Sequence, residues 1–360
     1  QGRGSEGSRL PNGTRVGSNA PERREIPPDG GQACVRKAQR MSAAILMYHR
    51  VCPADRRSTC HFARGTAIRP DTFGAQLDRL GSRFRFVSLL EALSGAVDGP
   101  VCALTFDDGY RDIVDVVWPA CRARGIPIAV FPVVRHSGGA PAATWFDRYY
   151  DVLHRATRRS GLSAGMLRLE ADQPVPAIDA DLDWWIRGPL KRRLAALDEP
   201  AFAAALHELR TLLAAPPEAD LAAELYLRHD ELHSLCRQGV LVGGHGATHR
   251  RLDQLSSSAA LAEMQESARL LDDLAVTGPR VFCYPDGGVP AGAAELLDAA
   301  GFSFGLTVES GEWHRRGDRS RVPRFLLRQT TTNDDLDAMC RRVGDSICSP
   351  DYPEPKPTRS

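Results

Sequence analysis

The sequence has no C-x-x-C pair and no apolar run long enough to cross a bilayer. The first absence leaves a cysteine zinc site with little support, and the second excludes a membrane-spanning helix. Charge of one sign is not in excess either: 46 basic residues stand against 45 acidic ones, a formal net charge of +1. With no surplus of positive charge to neutralise phosphates, nucleic acid is not expected as the main partner. The nine cysteines, Cys34, Cys52, Cys60, Cys102, Cys121, Cys236, Cys283, Cys340 and Cys348, are scattered singly. Their number is odd, and Cys102, Cys121 and Cys283 lie in apolar stretches. That pattern fits a reducing compartment better than a disulfide framework.

The two ends differ from the middle. Residues 1–40 are rich in Gly, Arg, Pro and Ser without hydrophobic periodicity, so a disordered leader is expected there. They also lack the apolar core of a secretory signal, and a cytoplasmic location is the corresponding expectation. Met41 immediately precedes the first strand-like run and is expected to be the natural start. Residues 346–360 include a proline-rich stretch and read as a loose tail. Between them, 41–345 reads as one globular domain, in keeping with 42% hydrophobic and 25% charged residues overall.

Short runs rich in Val, Ile, Leu and Phe read as buried strands: Ala44–Tyr48, Val101–Phe106, Pro127–Val133, Val240–Val242, Val281–Tyr284, Phe304–Val308 and Val322–Leu327. Helical patterns fall between most of them. Asp71–Leu80 follows Pro70, Ser257–Leu274 opens on a serine cluster, and Pro290–Ala300 stops at Gly301. Strand and helix in alternation predict an α/β fold, a distorted (β/α) barrel of about seven parallel strands, with an open doubly wound sheet as the alternative. The stretch 145–238 contains no good strand and reads as a helical insertion, clearest at Leu190–Leu213 and Leu221–Leu235, with Trp184 and Trp185 as its anchors.

Polar residues fall directly after the apolar runs. His49 follows the first run, Asp107 and Asp108 the second, His245 and His249 the fourth, and Asp286 the fifth. In strand–helix barrels the catalytic groups sit at the C-terminal ends of strands, so these side chains converge on one mouth. Adjacent carboxylates repel unless a cation sits on one of them. Asp-Asp-Gly is also a common way to end a strand and cap a helix, and an isolated His-x-x-x-His is more often structural than a metal site. Together, Asp108, His245 and His249 form a facial set for a divalent ion with open positions left over: zinc by ligand type, with cobalt, nickel or iron(II) also suited.

Three blocks resemble the polysaccharide deacetylase family, the carbohydrate esterases of family four: Thr105-Phe106-Asp107-Asp108-Gly109-Tyr110, His245-Gly246-Ala247-Thr248-His249-Arg250-Arg251-Leu252 and Phe282-Cys283-Tyr284-Pro285-Asp286-Gly287. The likeness runs from about Ile45 to about Leu327. It implies that Asp107 is the catalytic base, that Asp108, His245 and His249 hold the metal, and that the backbone amide of Asp286 meets the oxyanion. Many members have a histidine acid near the C-terminal end, and none stands at Val322–Gln329. Tyr48-His49-Arg50-Val51 resembles the N-terminal block of the permuted, biofilm-polymer deacetylases, which implies His49 as the acid; its structural alternative is a buried histidine bonded to a carbonyl. Two departures stand out. Cys283 occupies the place of an arginine that orients the base, and Asp286 puts a carboxylate beside the oxyanion site, where negative charge is unfavourable. Because sugars stack on aromatic faces, Tyr110, Trp145, Phe146 and Trp313, with Tyr284 and Pro285 of the third block, are candidate substrate contacts, although ordinary packing is the commoner role for each.

The resemblance implies an N-acetylated carbohydrate as substrate and removal of its acetyl group. The same machinery acting on another amide, such as a formamido sugar, is one alternative. A non-catalytic carbohydrate-binding protein is another. A metal phosphoesterase would call for more bridging carboxylates than the sequence places.

Overall fold

The structure is a computed structural model describing residues 42–346, apart from 56, 98, 138–141, 171–173 and 217–219. The expected leader 1–40, the start at Met41 and the tail beyond 346 lie outside the described residues. Among the described residues there are eleven strands: β1 Ser42–Tyr48, β2 Arg50–Val51, β3 Ala67–Ile68, β4 Arg85–Phe86, β5 Val101–Asp108, β6 Ile128–Pro132, β7 Leu241–Val242, β8 Val281–Cys283, β9 Phe304–Leu306, β10 Trp313–His314 and β11 Phe325–Leu326.

Parallel ladders join β1 to β5, β5 to β6, β6 to β7, β8 to β9, and β11 back to β1. Two single parallel bridges span the remaining gaps. Gly244 pairs with Phe282 just past β7, and Leu306 pairs with Val322 on the way into β11. At the first, Gly244 donates to the Val281 carbonyl at 3.0 Å and accepts from the Cys283 amide at 2.8 Å. The expected parallel (β/α) arrangement is therefore present, with seven strands in the ring. Its closure rests on single bridges at two places instead of full ladders, which is the distortion. At the start of β1, β10 adds an antiparallel strand, Ala43 facing Trp313.

Side chains alternate across each strand. On β1 and β5, Ala43, Ile45, Val101 and Ala103 share an interior cluster with Phe131, Val281, Cys283 and Leu306. Ala44, Leu46, Cys102, Leu104 and Phe106 pack instead against the surrounding helices. Burial on both faces is why these strands read as unbroken apolar runs. The same alternation carries Thr105 and Asp107 inward with Val101 and Ala103.

Helices form at Pro70–Gly81, Ser257–Asp273 and Ala293–Ala300, near the expected positions. The last begins later than predicted because Gly292 takes a left-handed conformation, φ 67°. The expected helix Leu190–Leu213 is instead two, Pro189–Ala195 and Glu199–Leu212. Asp198 caps the second by accepting from the Ala201 amide, and Pro200, which has no N–H, is tolerated only in the first turn. Leu221–Leu235 likewise breaks into Leu221–Leu225 and His229–Arg237. At the break Tyr226 is extended and bridges to Tyr110. The helices of 145–213 enclose a core of their own, with Tyr149, Trp185, Ile186, Phe202 and Leu209 buried in it. The predicted strand Val322–Leu327 shrinks to Phe325–Leu326, since Pro323 cannot donate to a ladder. Among the described residues, no helix is long and apolar enough to cross a membrane.

Candidate active site

The C-terminal strand ends open into a cavity of about 450 Å³ lined by His49, Asp107, Asp108, His245, His249 and Asp286, with Tyr110, Phe146, Tyr284 and Arg64 among its walls. The four strand ends singled out in the sequence thus meet at one place.

Asp108 takes a left-handed conformation, φ 69°, at the last position of β5. Gly109 follows with φ 73°, and a Cβ there would lie 2.8 Å from the Pro132 Cα, so the turn accepts only glycine. The turn aims the Asp108 carboxylate between two imidazoles. Its Oδ1 lies 3.3 Å from His245 Nε2 and 3.1 Å from His249 Nε2. His245 Nδ1 is 2.7 Å from the Cys283 carbonyl, which can only accept, so Nδ1 carries the proton and Nε2 is left as the donor atom of the neutral ring. His249 is also left-handed, φ 59°. Glu263 pins the turn between the two histidines by accepting from the Ala247 and Thr248 amides and the Thr248 hydroxyl, at 2.7, 2.9 and 2.7 Å. His136 Nδ1 donates to the Asp108 carbonyl at 3.1 Å.

This donor set fits a divalent cation. The ligand atoms of Asp108, His245 and His249 lie within 4.8 Å of one another, and all three residues are buried. Asp108 Oδ1 is buried with the two imidazole Nε2 atoms beside it, and His249 Nδ1 is buried without a hydrogen-bond partner. Burial works against charge on both rings, yet the Asp108 carboxylate prevails and lifts His249 to about 9. His245 is lifted to about 10 in the same way, burial being outweighed by Cys283 and the Asp108 contact. The site therefore holds protons where a cation would sit. Ligands bind metal deprotonated, so uptake must release protons and tighten as pH rises toward 9. Calorimetric titration of the metal at pH 7 in two buffers of different ionisation enthalpy is expected to show release of at least about one proton; identical heats after correction would contradict it.

A second set, Asp107, His245 and Cys283, is equally close. Here the cation is already supplied by the protein. Arg324 donates to both Asp107 oxygens at 2.8 Å, to Thr105 Oγ1 at 3.0 Å and to the Thr307 carbonyl at 2.9 Å, and faces Cys283 Sγ at 3.1 Å. Burial would raise the Asp107 pKa, but the guanidinium prevails and holds it below the usual carboxylate range. Arg324 thus provides the arginine that the sequence reading found missing at Cys283. It comes from a different strand, and the small Cys283 side chain leaves room for it.

His49 borders the cavity, and its Nδ1 has no partner, so the alternative of a histidine tied to a carbonyl through that atom does not hold. Burial lowers its pKa, with Asp108 and Asp107 opposing. Asp286, just after Pro285, is left-handed at φ 48° and ψ 24°. Its Oδ1 accepts from Arg64 at 3.1 Å, and its carbonyl accepts from Arg251 at 2.8 Å. The extra carboxylate is thus countered by Arg64, which removes the main objection to an oxyanion site at this turn.

The aromatic candidates divide. Tyr110, Phe146 and Tyr284 line the cavity. The Tyr110 hydroxyl is committed to Asp147 at 3.0 Å, and Phe146 stands edge-on to His249 with ring centres 5.3 Å apart. Pro285 is buried in the turn and does not border the cavity. Trp145 lines a neighbouring groove instead. Trp313 is a correction: it pairs with Ala43 at the opposite end of β1, is 2% exposed, and donates its indole N–H to the Leu93 carbonyl at 3.1 Å. It is core packing at the far end of the barrel and offers no face to a sugar.

The sequence model of the polysaccharide deacetylase family matches residues 195–305. No curated protein sequence matches the chain. Among solved structures, the Streptococcus pyogenes deacetylase PplD in complex with acetate is similar with a TM-score of 0.54 at 14% identity, covering 82% of this chain and 97% of that one. IcaB from Ammonifex degensii gives 0.52 at 19%, covering 84% and 98%. A de-N-acetylase from Aggregatibacter actinomycetemcomitans gives 0.50 at 13%, covering 82% and 99%. At these identities the structural likenesses concern the fold.

Proposed function

We propose that the chain belongs to the polysaccharide deacetylase family, hydrolases of amide C–N bonds whose sequence model matches residues 195–305, and that it removes the N-acetyl group from an amino sugar in a glycan or glycan precursor. One observation carries the reading. A carboxylate held ionised by a buried arginine, Asp107, directly precedes a carboxylate centred between two imidazole Nε2 atoms, Asp108. A base and a cation site side by side are what amide hydrolysis by water requires.

A divalent cation on Asp108, His245 and His249, zinc by ligand type, would supply Lewis acidity toward the attacking water and the acyl oxygen. Asp107 accepts the water's proton. Arg324 orients it and keeps it unprotonated beforehand. The Asp286 amide faces the developing oxyanion, with Arg64 holding the Asp286 carboxylate aside. His49 hands a proton to the leaving amine, which departs poorly without one. Burial lowers the His49 pKa while Asp108 and Asp107 oppose it, so protonated His49 is a strong acid toward the amine but the less populated form at neutral pH. The use of His49 for this step is what the resemblance of Tyr48-His49-Arg50-Val51 to the permuted group implies.

The domain is taken to span 41–345 with 145–238 as an insertion. The described cysteines, Cys52, Cys60, Cys102, Cys121, Cys236, Cys283 and Cys340, are free thiols, which fits the cytoplasm as the site of action.

Acetate release from N-acetylglucosamine oligomers tests the activity. It is expected from zinc-loaded protein, lost on chelation and restored by metal. Formate release from an N-formyl amino sugar, without acetate release from any oligomer, would replace this reading with the deformylase one.

A further inference from the structure

A second groove, about 800 Å³, joins the catalytic cavity at His249 and Asp286, which line both. One wall comes from the helical stretch around Trp145, Arg148, Arg192 and Phe202, and the other from the barrel rim around Arg135, Arg250 and Arg251. Its charge is out of balance. The lining carries five guanidinium groups, on Arg135, Arg148, Arg192, Arg250 and Arg251, against three carboxylates, on Glu199, Glu263 and Asp286.

All three carboxylates are already used within the protein. Glu199 pairs with Arg148, Glu263 with the amides of the His245–His249 turn, and Asp286 with Arg64. Arg251 is held by Asp253 and by the Asp286 carbonyl. Arg135, Arg192 and Arg250 remain, and none meets a carboxylate among the described residues; Arg192 only gives one N–H to the Arg187 carbonyl at 2.9 Å. All three are exposed. In a chain whose net charge is only +1, this is a local excess, not a general one. The half-buried Trp145 lines the same groove.

We infer that this groove binds the part of the substrate next to the reacting sugar, and that this part is anionic: the substrate is an acidic glycan bearing carboxylate or phosphate groups. The inference rests on the proposed deacetylase reading and narrows its substrate class. A guanidinium fork matches a carboxylate or phosphate with two N–H bonds, whereas a neutral sugar leaves its charge unanswered. Trp145 suits a sugar ring lying between such groups. A nucleic acid would also answer the charge, but the groove opens onto an amide-hydrolysing centre, and nucleic-acid backbones carry no amide of that kind.

The test is direct binding, measured by calorimetry on the full chain with zinc. Three probes are compared: a neutral N-acetylglucosamine hexamer, a hexamer alternating glucuronate with N-acetylglucosamine, and a phosphodiester-linked N-acetylglucosamine oligomer. At low ionic strength at least one acidic oligomer is expected to bind on the order of tenfold tighter than the neutral one, and which one it is distinguishes carboxylate from phosphate. That ratio is expected to approach one in Arg135→Gln/Arg192→Gln, to recover in Arg135→Lys/Arg192→Lys, and to fall at 1 M salt. Equal affinity for neutral and acidic oligomers, an equal loss for both in the variant, or tighter binding of single-stranded DNA of similar length would overturn the inference. Acetate release is read separately. Arginine-dependent binding without acetate from any oligomer would count against the deacetylase reading alone, and acetate release without acidic preference would count against this inference alone.

Discussion

Asp107→Asn is expected to keep its metal and its fold while losing turnover by about 10²–10⁴-fold, the range a positioned general base contributes. The side chain is nearly the same size, and Asp108, His245 and His249 are untouched. What disappears is the ability to accept a proton. In the wild type Asp107 is 3% exposed and has the two Arg324 bonds to hold its orientation. An asparagine offers one acceptor to the two donors of that fork and removes the counter-charge of the buried Arg324, so a loss of stability approaching about 3–5 kcal/mol accompanies the loss of rate. Elemental analysis and acetate release on the same preparation separate the two effects. A fully active variant would remove Asp107 as the base, and a variant without metal would mean the two aspartates do not have separate roles.

Arg324→Met is the second large effect, and it falls on stability as well as rate. Arg324 is 0% exposed and paired with an equally enclosed Asp107. Removing the cation leaves a carboxylate buried without its counter-charge, which costs about 3–5 kcal/mol. For a domain of this size a loss of that order lowers Tm by roughly 10 °C. The pH dependence has a definite sign. With Arg324 present the folded-state pKa of Asp107 is depressed, so the pair's stabilisation is present above the unfolded carboxylate pKa and is lost as pH falls through the folded one. Without Arg324, burial raises the pKa against the weaker pull of His245 and His49, so the deficit is largest at neutral pH and shrinks as pH falls and Asp107 protonates. Thermal melts across pH check this. Arg324→Met/Asp107→Asn is expected to regain part of the lost stability, because no buried charge is then left unpaired. A single variant that melts like wild type at pH 7 would contradict the assignment.

The residues that were legible in the sequence share a physical reason. β1, β5 and β6 are buried on both faces, so they stand out as apolar runs, and the polar groups that end them are conspicuous by contrast. That placed His49, Asp107, Asp108, His245, His249 and Asp286 on one cavity. The two-residue strands β2, β3, β4 and β10 give no periodic signal, and nothing local in Trp313 tells that its strand returns antiparallel at the far end. Arg324 was missed although a signal existed. It alternates with Val322 and Leu326 on one side of a strand-like run, and a charge at an inward position demands a partner; the inward-facing Asp107 was the available one. Glu263 and His136 act on the backbone of the metal-binding turns, a contact that spacing along the chain cannot reveal. The helix break at Asp198-Glu199-Pro200 was also readable, since a proline cannot sit inside a helix.

The most direct test of the metal centre needs no choice of substrate. Wild type, His245→Ala and His249→Ala are purified without added metal or chelator and their metal content is measured by elemental analysis. About one equivalent of zinc or a similar divalent ion in wild type, lost in both variants, is the predicted result. Wild type without metal, and taking up none when titrated, would contradict the hydrolase account at its centre.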